Sequence, residues 1–411
     1  MTCAKRSLVP KAGQIMMPAM RPRLFVLLVP LALLPGCAGV STRVDRATAD
    51  AVPSVTIDTK QRARVAELVD RAIAAVVRRQ FVDAEVEAES ALSIDPRAAR
   101  ARAVRALVLA QRGSETDPPD LGLVNAAEFD LRIAQQIAPN DLFVGWMYAL
   151  FLAETGHVSA AADMAEATLR KAEAAPAAER AALFGLAGKY RYELGEERMA
   201  LPSLQAYVAM RPDDIAARFR LGFTLLRLAQ AQQEDGSATL SKVRWQAEAA
   251  AEAFGRCAEM APGDEDVALA ISVARLRAAE LCEQMAKTKE GDRATNAQAA
   301  AEHRDAATRS LLAVVERFPD NAEPHFRLGV LAEQRGESAA AIADYERALA
   351  RESGHLGSLL NLASLVAASG DRQRARTLLQ RAVAEDVRGR RLTDDERKRI
   401  QAWLQADEMA H

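Results

Sequence analysis

Two consecutive stretches near the C-terminus, residues 322–355 and 356–389, align without a gap, and small side chains recur at the same two places in both. Counting from the start of each stretch, position eight is Gly329 or Ala363 and position twenty is Ala341 or Ala375. Two earlier stretches of equal length repeat the pattern: 65–98 carries Ala72 and Ala84, and 181–214 carries Gly188 and Ala200. If each stretch folds as two antiparallel helices, these are the positions where the helices cross in contact, and any larger side chain there forces the axes apart. Gly195, Gly336 and Gly370 stand at position fifteen, between the two helices, while Pro96 and Pro212 close their units. A unit of this size cannot bury its own apolar face, so it must stack on its neighbour.

This pattern resembles the tetratricopeptide repeat. The residues that carry the likeness are Leu328-Gly329, Gly336, Ala341, Tyr345 and Ala348 in one unit, and Leu362-Ala363, Gly370, Ala375, Leu379 and Ala382 in the next. Four further units carry insertions: 99–141 (Ala106, Gly113, Ala127, Leu131, Ala134, Pro139), 142–180 (Ala149, Gly156, Ala161), 215–264 (Gly222, Ala250, Phe254, Cys257, Pro262) and 265–321 (Ser272, Ala307, Leu311, Pro319). The resemblance implies an all-α fold, a right-handed superhelix (α-solenoid) of eight helix-turn-helix repeats over residues 65–389. After the last repeat, Thr393 and Glu396 form a capping-box pattern, and Ile400, Trp403 and Leu404 make an apolar stripe. Residues 392–411 are therefore expected to be a helix that caps the array.

Composition agrees with thin helical layers. Apolar residues make up 50 % but aromatics only 5 %, and small side chains let helix axes approach closely. Lys and Arg total 54 against 56 acidic residues, which gives no electrostatic reason to expect nucleic acid.

The N-terminus reads as an export signal. Basic residues from Met20 precede the apolar run Leu24–Leu34, which is too short to span a bilayer. Leu34-Pro35-Gly36-Cys37 resembles the lipobox of bacterial lipoproteins, with Pro35 departing from the usual small or β-branched residue. The resemblance implies cleavage of residues 1–36 and lipidation of Cys37, and Ala38 after it is similar to lipoproteins sorted to the outer membrane. The distance of Lys5, Arg6 and Lys11 from the apolar run points to a true start at Met16, Met17 or Met20. Residues 37–60 lack helical periodicity and read as a lipidated N-terminus and flexible tether.

Function is expected at one of two places. Three insertions, at Ser114–Gly122, around Gln230–Lys242 and around Thr288–Asn296, fall at the turn between the two helices of a repeat, and the last two read as lengthened helical hairpins. The second place is the concave groove that the family geometry implies along the first helices. Its slots hold Trp146, Met147, Lys189, Tyr192, Phe219, Arg220, Phe223, Phe326 and Arg327, and aromatic anchors beside Arg suit a peptide with apolar and acidic side chains. The Lys-plus-Asn carboxylate clamp of chaperone-binding relatives is not matched.

Enzyme chemistry finds no support. His157, His303, His325, His355 and His411 are scattered without ligand spacing, and Cys3, Cys37, Cys257 and Cys282 contain no CxxC pair, so no metal or cofactor is expected. At ~1.5 Å per residue, Cys282 lies about 20 Å from Cys257 along an antiparallel helix pair, too far for a disulfide. The chain is thus expected to be a non-enzymatic scaffold, lipid-anchored and facing the periplasm, that binds envelope proteins or peptides and neither nucleic acid nor a small-molecule substrate. The resemblance extends to tetratricopeptide lipoproteins of pilus, secretion and cell-wall assembly. The alternative is a structural spacer in a polysaccharide export machine.

Overall fold

The computed structural model describes residues 49–408 apart from 174, 263, 289, 290, 390 and 391. Residues 1–48, which include the stretch 1–36 read as an export signal, Cys3, Cys37 and the first part of the segment read as a tether, lie outside the described residues, as does His411. Among the described residues the secondary structure is helical throughout, without strands, and no helix is long and apolar enough to cross a membrane.

The chain divides into two compact units, one ending at Thr224 and the other beginning at Leu225. In the first, helices pack in sequence order as antiparallel pairs: α1 (Thr59–Val77) with α2 (Phe81–Ile94), α3 (Ala99–Glu115) with α4 (Leu121–Ile137), α5 (Leu142–Glu154) with α6 (Val158–Lys171), and α7 (Ala177–Glu193) with α8 (Glu197–Met210). The first helices of the pairs also touch one another, α1 with α3, α3 with α5 and α5 with α7, and so form a layer of their own. The dividing residue falls inside α9 (Ile215–Glu234). The second unit continues with α10 (Leu240–Met260), α11 (Glu265–Thr288), α12 (Arg293–Arg317), α13 (Ala322–Gln334), α14 (Ser338–Arg351), α15 (Leu356–Ala368), α16 (Arg372–Gly389) and α17 (Asp394–Glu408). Here α10 packs on α11, α11 on α12, α13 on α14 and α15 on α16.

The paired small residues sit where the period requires. Ala72, Ala84, Ala200, Ala341 and Ala375 are fully buried and Ala363 nearly so. The units with insertions follow suit: Ala106, Ala127, Ala149, Ala161, Ala250, Ser272 and Ala307 are fully buried, and Gly222 is buried. A methyl group added at Gly188 would come within 2.8 Å of the Leu204 side chain, and one at Gly329 within 2.6 Å of the Tyr345 ring. Those distances are below van der Waals contact, so the absence of a side chain sets the approach of the helices.

The turn at position fifteen is left-handed in five units. Gly156, Gly195, Gly336 and Gly370 have φ of 85°, 73°, 77° and 97°, and in the first repeat Arg79 takes the same conformation at φ 59°. Such a residue ends a helix by turning the chain while its neighbours' amides reach back to the last carbonyls, and a residue with a Cβ does so at a cost. Gly113, expected to turn the second repeat, does not: α3 runs on to Glu115, and Gly113 instead lets the Asp120 carbonyl and Leu123 approach to about the limit of contact. Asp120 then caps α4 by accepting from the amides of Gly122 and Leu123.

The segment read as a tether is partly docked. Residues Ala49–Ala51 form a 3-10 turn against α4, the Ala49 amide donates to the Gln136 side chain at 2.7 Å, and Val52 is buried. The helix of the first repeat also starts at Thr59, ahead of Val65, because Asp58 and Gln61 close a reciprocal capping box. The hairpin insertions are helical as expected. Helices α11 and α12 span 24 and 25 residues, against 13 and 14 for α13 and α14.

At the C-terminus, Thr393 and Glu396 make the expected capping box. Ile400, Trp403 and Leu404 cover the core that contains Leu378, Leu379 and Ala382. Asp386, buried on α16, accepts from the Leu392 amide and from Arg397 at 2.6 Å each, which fastens α17.

Two substitutions separate these local terms. Arg79→Gly removes the left-handed penalty and should raise stability by about 1 kcal/mol. Gly329→Val should lower it by ~2 kcal/mol or more through overpacking against Tyr345. Urea midpoints, read against an unchanged slope, measure both, and a midpoint at or above the parent's for Gly329→Val would contradict the packing account.

Candidate functional site

The residues expected to line a groove separate into packing and display. Phe219 and Phe223 are 7 % and 5 % exposed and meet edge to face with centroids 4.9 Å apart, so they belong to the core rather than to a lining. Met147 is buried as well. Trp146 is half-buried, tilted against Phe143 at 6.0 Å, and wedged between the apolar clusters on either side of α5. In the second unit Phe326 lies 5.9 Å from the Tyr345 ring and 4.9 Å from His355, and a methyl at Gly357 would strike it. It fills the joint between α13 and α15. Arg327 holds Glu323 at 2.5 Å, and His355 approaches the same carboxylate at 3.2 Å. Although burial opposes it, Arg327 and His355 keep Glu323 below the usual carboxylate range.

Lys189, Tyr192 and Arg220 are half-buried, as side chains at the rim of a surface would be. Lys189 lies over the Tyr190 ring at 4.9 Å and 3.9 Å from Glu193 one turn along α7. Glu154, at the end of α5, joins them. It closes a hollow lined by Leu107, Ala110, Met147 and Phe151. Burial pushes its carboxyl from the ordinary 4.5 up to about 6, and the Lys189 ammonium opposes the shift. Tyr190 is pushed up to about 12, first by burial and then by Glu193 and Glu154, with the Arg220 charge acting against it. Glu154, Lys189, Tyr190 and Arg220, on three successive first helices, therefore share one electrostatic environment. Lys189 and Arg220 were legible at their repeat positions. Glu154 was not, since a Glu closing a helix looks like any solvated charge until the apolar hollow beside it is known.

Eight units place small buried residues at positions eight and twenty, and five of them turn through a left-handed residue at position fifteen. The helix pairs have the architecture of tetratricopeptide repeats. No protein-family model matches the chain. Over 90 residues it is 36 % identical to the probable biofilm formation methyltransferase WspC of Pseudomonas putida, a match covering 22 % of this chain and 20 % of that protein. The chain thus spans a small part of the curated relative's length. Among solved structures, PilF of Pseudomonas aeruginosa is 15 % identical with a TM-score of 0.40, covering 58 % of this chain and 97 % of that one. A tetratricopeptide repeat protein from Parabacteroides merdae is 14 % identical with a TM-score of 0.38, covering 84 % and 98 %. The human IFIT1 dimer with m7Gppp-AAAA is 19 % identical with a TM-score of 0.31, covering 74 % and 68 %. No function passes to this chain at these identities and scores.

The helix pairs of the second compact unit hold another cluster, which the sequence did not reveal. Glu248 on α10, Cys282 on α11 and His303 on α12 bring a carboxylate oxygen, a thiol sulfur and a ring nitrogen within 4.8 Å of one another. His303 Nε2 lies 3.2 Å from Glu248 Oε1, and Arg244 Nε lies 3.6 Å from the same oxygen. The His303 hydrogen bond, helped by the Arg244 charge, holds Glu248 below the carboxylate range, whereas burial pushes the Cys282 thiol up against a contact with Arg244. Cys257 and Cys282 are both buried and no disulfide joins them, as the helix spacing required.

Glu154 gives a pH test. Its folded-state carboxyl is raised, so the stability it contributes is complete below pH 4.5 and is lost as pH rises through about 6. Glu154→Gln should leave stability near pH 4 close to the parent's and exceed it above pH 6. Urea midpoints across that range test this, and equal midpoints at pH 7 would place Glu154 in water.

Proposed function

We propose that this tetratricopeptide protein is a protein-interaction scaffold of the bacterial envelope, tethered by lipid on Cys37, whose first-helix face around Glu154, Lys189, Tyr192 and Arg220 receives a partner segment bearing acidic and apolar side chains. The observation that carries the reading is that three successive first helices bring Glu154, Lys189, Tyr190 and Arg220 into one electrostatic environment beside the hollow lined by Leu107, Met147 and Phe151, while Phe219 and Phe223, expected beside them, are spent on packing. Helix stacking of this kind suits recognition of an extended or helical peptide whose acidic groups meet Lys189 and Arg220. The tetratricopeptide fold alone supports protein partners in general. The anchoring rests on Leu34-Pro35-Gly36-Cys37 and the basic and apolar segment before it. One acyl chain gives marginal binding and several give durable attachment. Pilus, secretion or cell-wall assembly fits such an anchored scaffold.

Two experiments test the parts separately. Cys37→Ser should abolish incorporation of a clickable fatty acid and move the protein from the membrane to the soluble fraction; labelling that survives the change rejects the anchor. For the face, partners cross-linked to the parent in intact cells should be lost, by roughly tenfold or more, in Lys189→Glu with Arg220→Glu. A spacer in an export machine would keep them. Phe219→Ala is unsuitable for this purpose, because it opens a cavity in the core.

A further inference from the structure

We propose that Glu248, Cys282 and His303 form a binding site for a divalent cation of the Zn(II) type, built by the lengthened hairpins of the second unit. The three side chains come from three successive helices and offer one oxygen, one sulfur and one nitrogen donor, the mixed set that borderline cations take in four-coordinate sites. Tetrahedral bonds of ~2.0–2.3 Å place neighbouring donor atoms about 3.3–3.8 Å apart. The His303 and Glu248 donors already stand at 3.2 Å, and no pair in the trio exceeds 4.8 Å, so rotamer adjustments of about an ångström close the set.

The insertions explain why the site exists. An ordinary first helix here ends after 13 residues, as α13 does, whereas Cys282 lies well beyond that length on the 24-residue α11. His303 faces it from the stretch of α12 that precedes Ala307, the crossing residue. Only the extension of this hairpin brings the sulfur and nitrogen together. Burial is graded across the trio. The thiol is fully buried, while the His303 and Glu248 side chains are 17 % and 37 % exposed, leaving an approach from solvent and room for water as fourth ligand.

Arg244 is the competing neighbour. It contacts both Glu248 and the thiol, and its Nη1 also lies 3.4 Å from Asn296 Oδ1, a neutral acceptor. Binding transfers the Cys282 proton to solvent, leaving thiolate and carboxylate to balance the two charges of the cation, and Arg244 gives up the thiol. Without a cation, the trio is a hydrogen-bonded pair, His303 with Glu248, beside a buried thiol.

The test uses the full chain, reduced with a phosphine and freed of metal by dialysis against chelator. Titration with Co(II) should produce a thiolate-to-cobalt charge-transfer band in the near ultraviolet that saturates at one equivalent, together with the intense visible bands of a four-coordinate ion. Cys282→Ser should lose the charge-transfer band and Cys257→Ser should keep it. His303→Gln should weaken binding by at least the ~10–100-fold that loss of even an outer-sphere partner costs. Absence of a one-equivalent band in the parent, or its persistence in Cys282→Ser, overturns the proposal and leaves a structural hydrogen-bond network. Should Cys282→Ser not fold, competition for Zn(II) between the parent and a chromophoric chelator decides: no competition at one equivalent overturns the site.

Discussion

The close approach of two helices at a single crossing governs this molecule. At Gly188 and Gly329 a methyl group would already collide with Leu204 or Tyr345, so the partner side chain occupies the space that the smaller residue vacates. The crossing fixes how the helices meet, and the burial follows from it. Buried Ala, Ser272 or Gly222 at the remaining crossings keeps the contact small in the same way. Each contact alone stabilises little, since Ala buries few methylenes. Repetition supplies the rest: α1 to α8 in the first unit and α10 to α17 in the second pack in order on their neighbours, and between α3 and α7 the apolar clusters run from one pair into the next.

A crossing fixed near the middle of a helix leaves the far ends free to vary. The hairpin formed by α11 and α12 is almost twice the length of that formed by α13 and α14, yet Ser272 and Ala307 remain fully buried at its crossing. The extra turns are helical rather than looped because they keep the neighbour's company. Helix α10 is long as well, and Gln246 on it donates to Gln232 on α9 at 3.2 Å. Lengthening of adjacent helices gives each new turn something to pack against, and so creates contacts, such as those of Cys282 and His303, that an ordinary repeat has no residues to make.

What was legible in the sequence follows the same division. Positions that recur, such as Ala341, Gly336 and Tyr345, could be read because the period repeats the same physical demand. The capping box at Thr393 and Glu396 is local and was equally plain. Arg79 was hidden by its type: the turn demands a left-handed residue, and only the period, not the side chain, marks that place. Gly113 misled for the opposite reason, since a glycine serves close approach as well as it serves a turn. Phe219, Phe223 and Phe326 occupied groove positions by count, but which side of a helix is covered depends on the neighbouring repeat. Glu248, Cys282 and His303 are brought together by three helices, and no spacing within one segment could announce them.

Scarcity of aromatics decides how such a surface can recognise anything. Several of the few large rings are spent on packing: Phe326 against Tyr345 and His355, Phe219 against Phe223 along α9, Trp146 beside Phe143 along α5. Of these rings, Phe219, Phe223 and Tyr345 are buried and Trp146 and Phe326 half-buried. At the expected groove positions of the first unit, the half-buried side chains left are long polar ones, Lys189, Tyr192 and Arg220, with Glu154 beside them. Exposed charges act over a screening distance of about 8 Å at physiological salt, so they steer and orient a partner more than they hold it. Glu154 departs from that rule, because its carboxyl is partly withdrawn from water beside Lys189 and resists ionisation. A carboxyl in that position lets the charge of the face change with the proton.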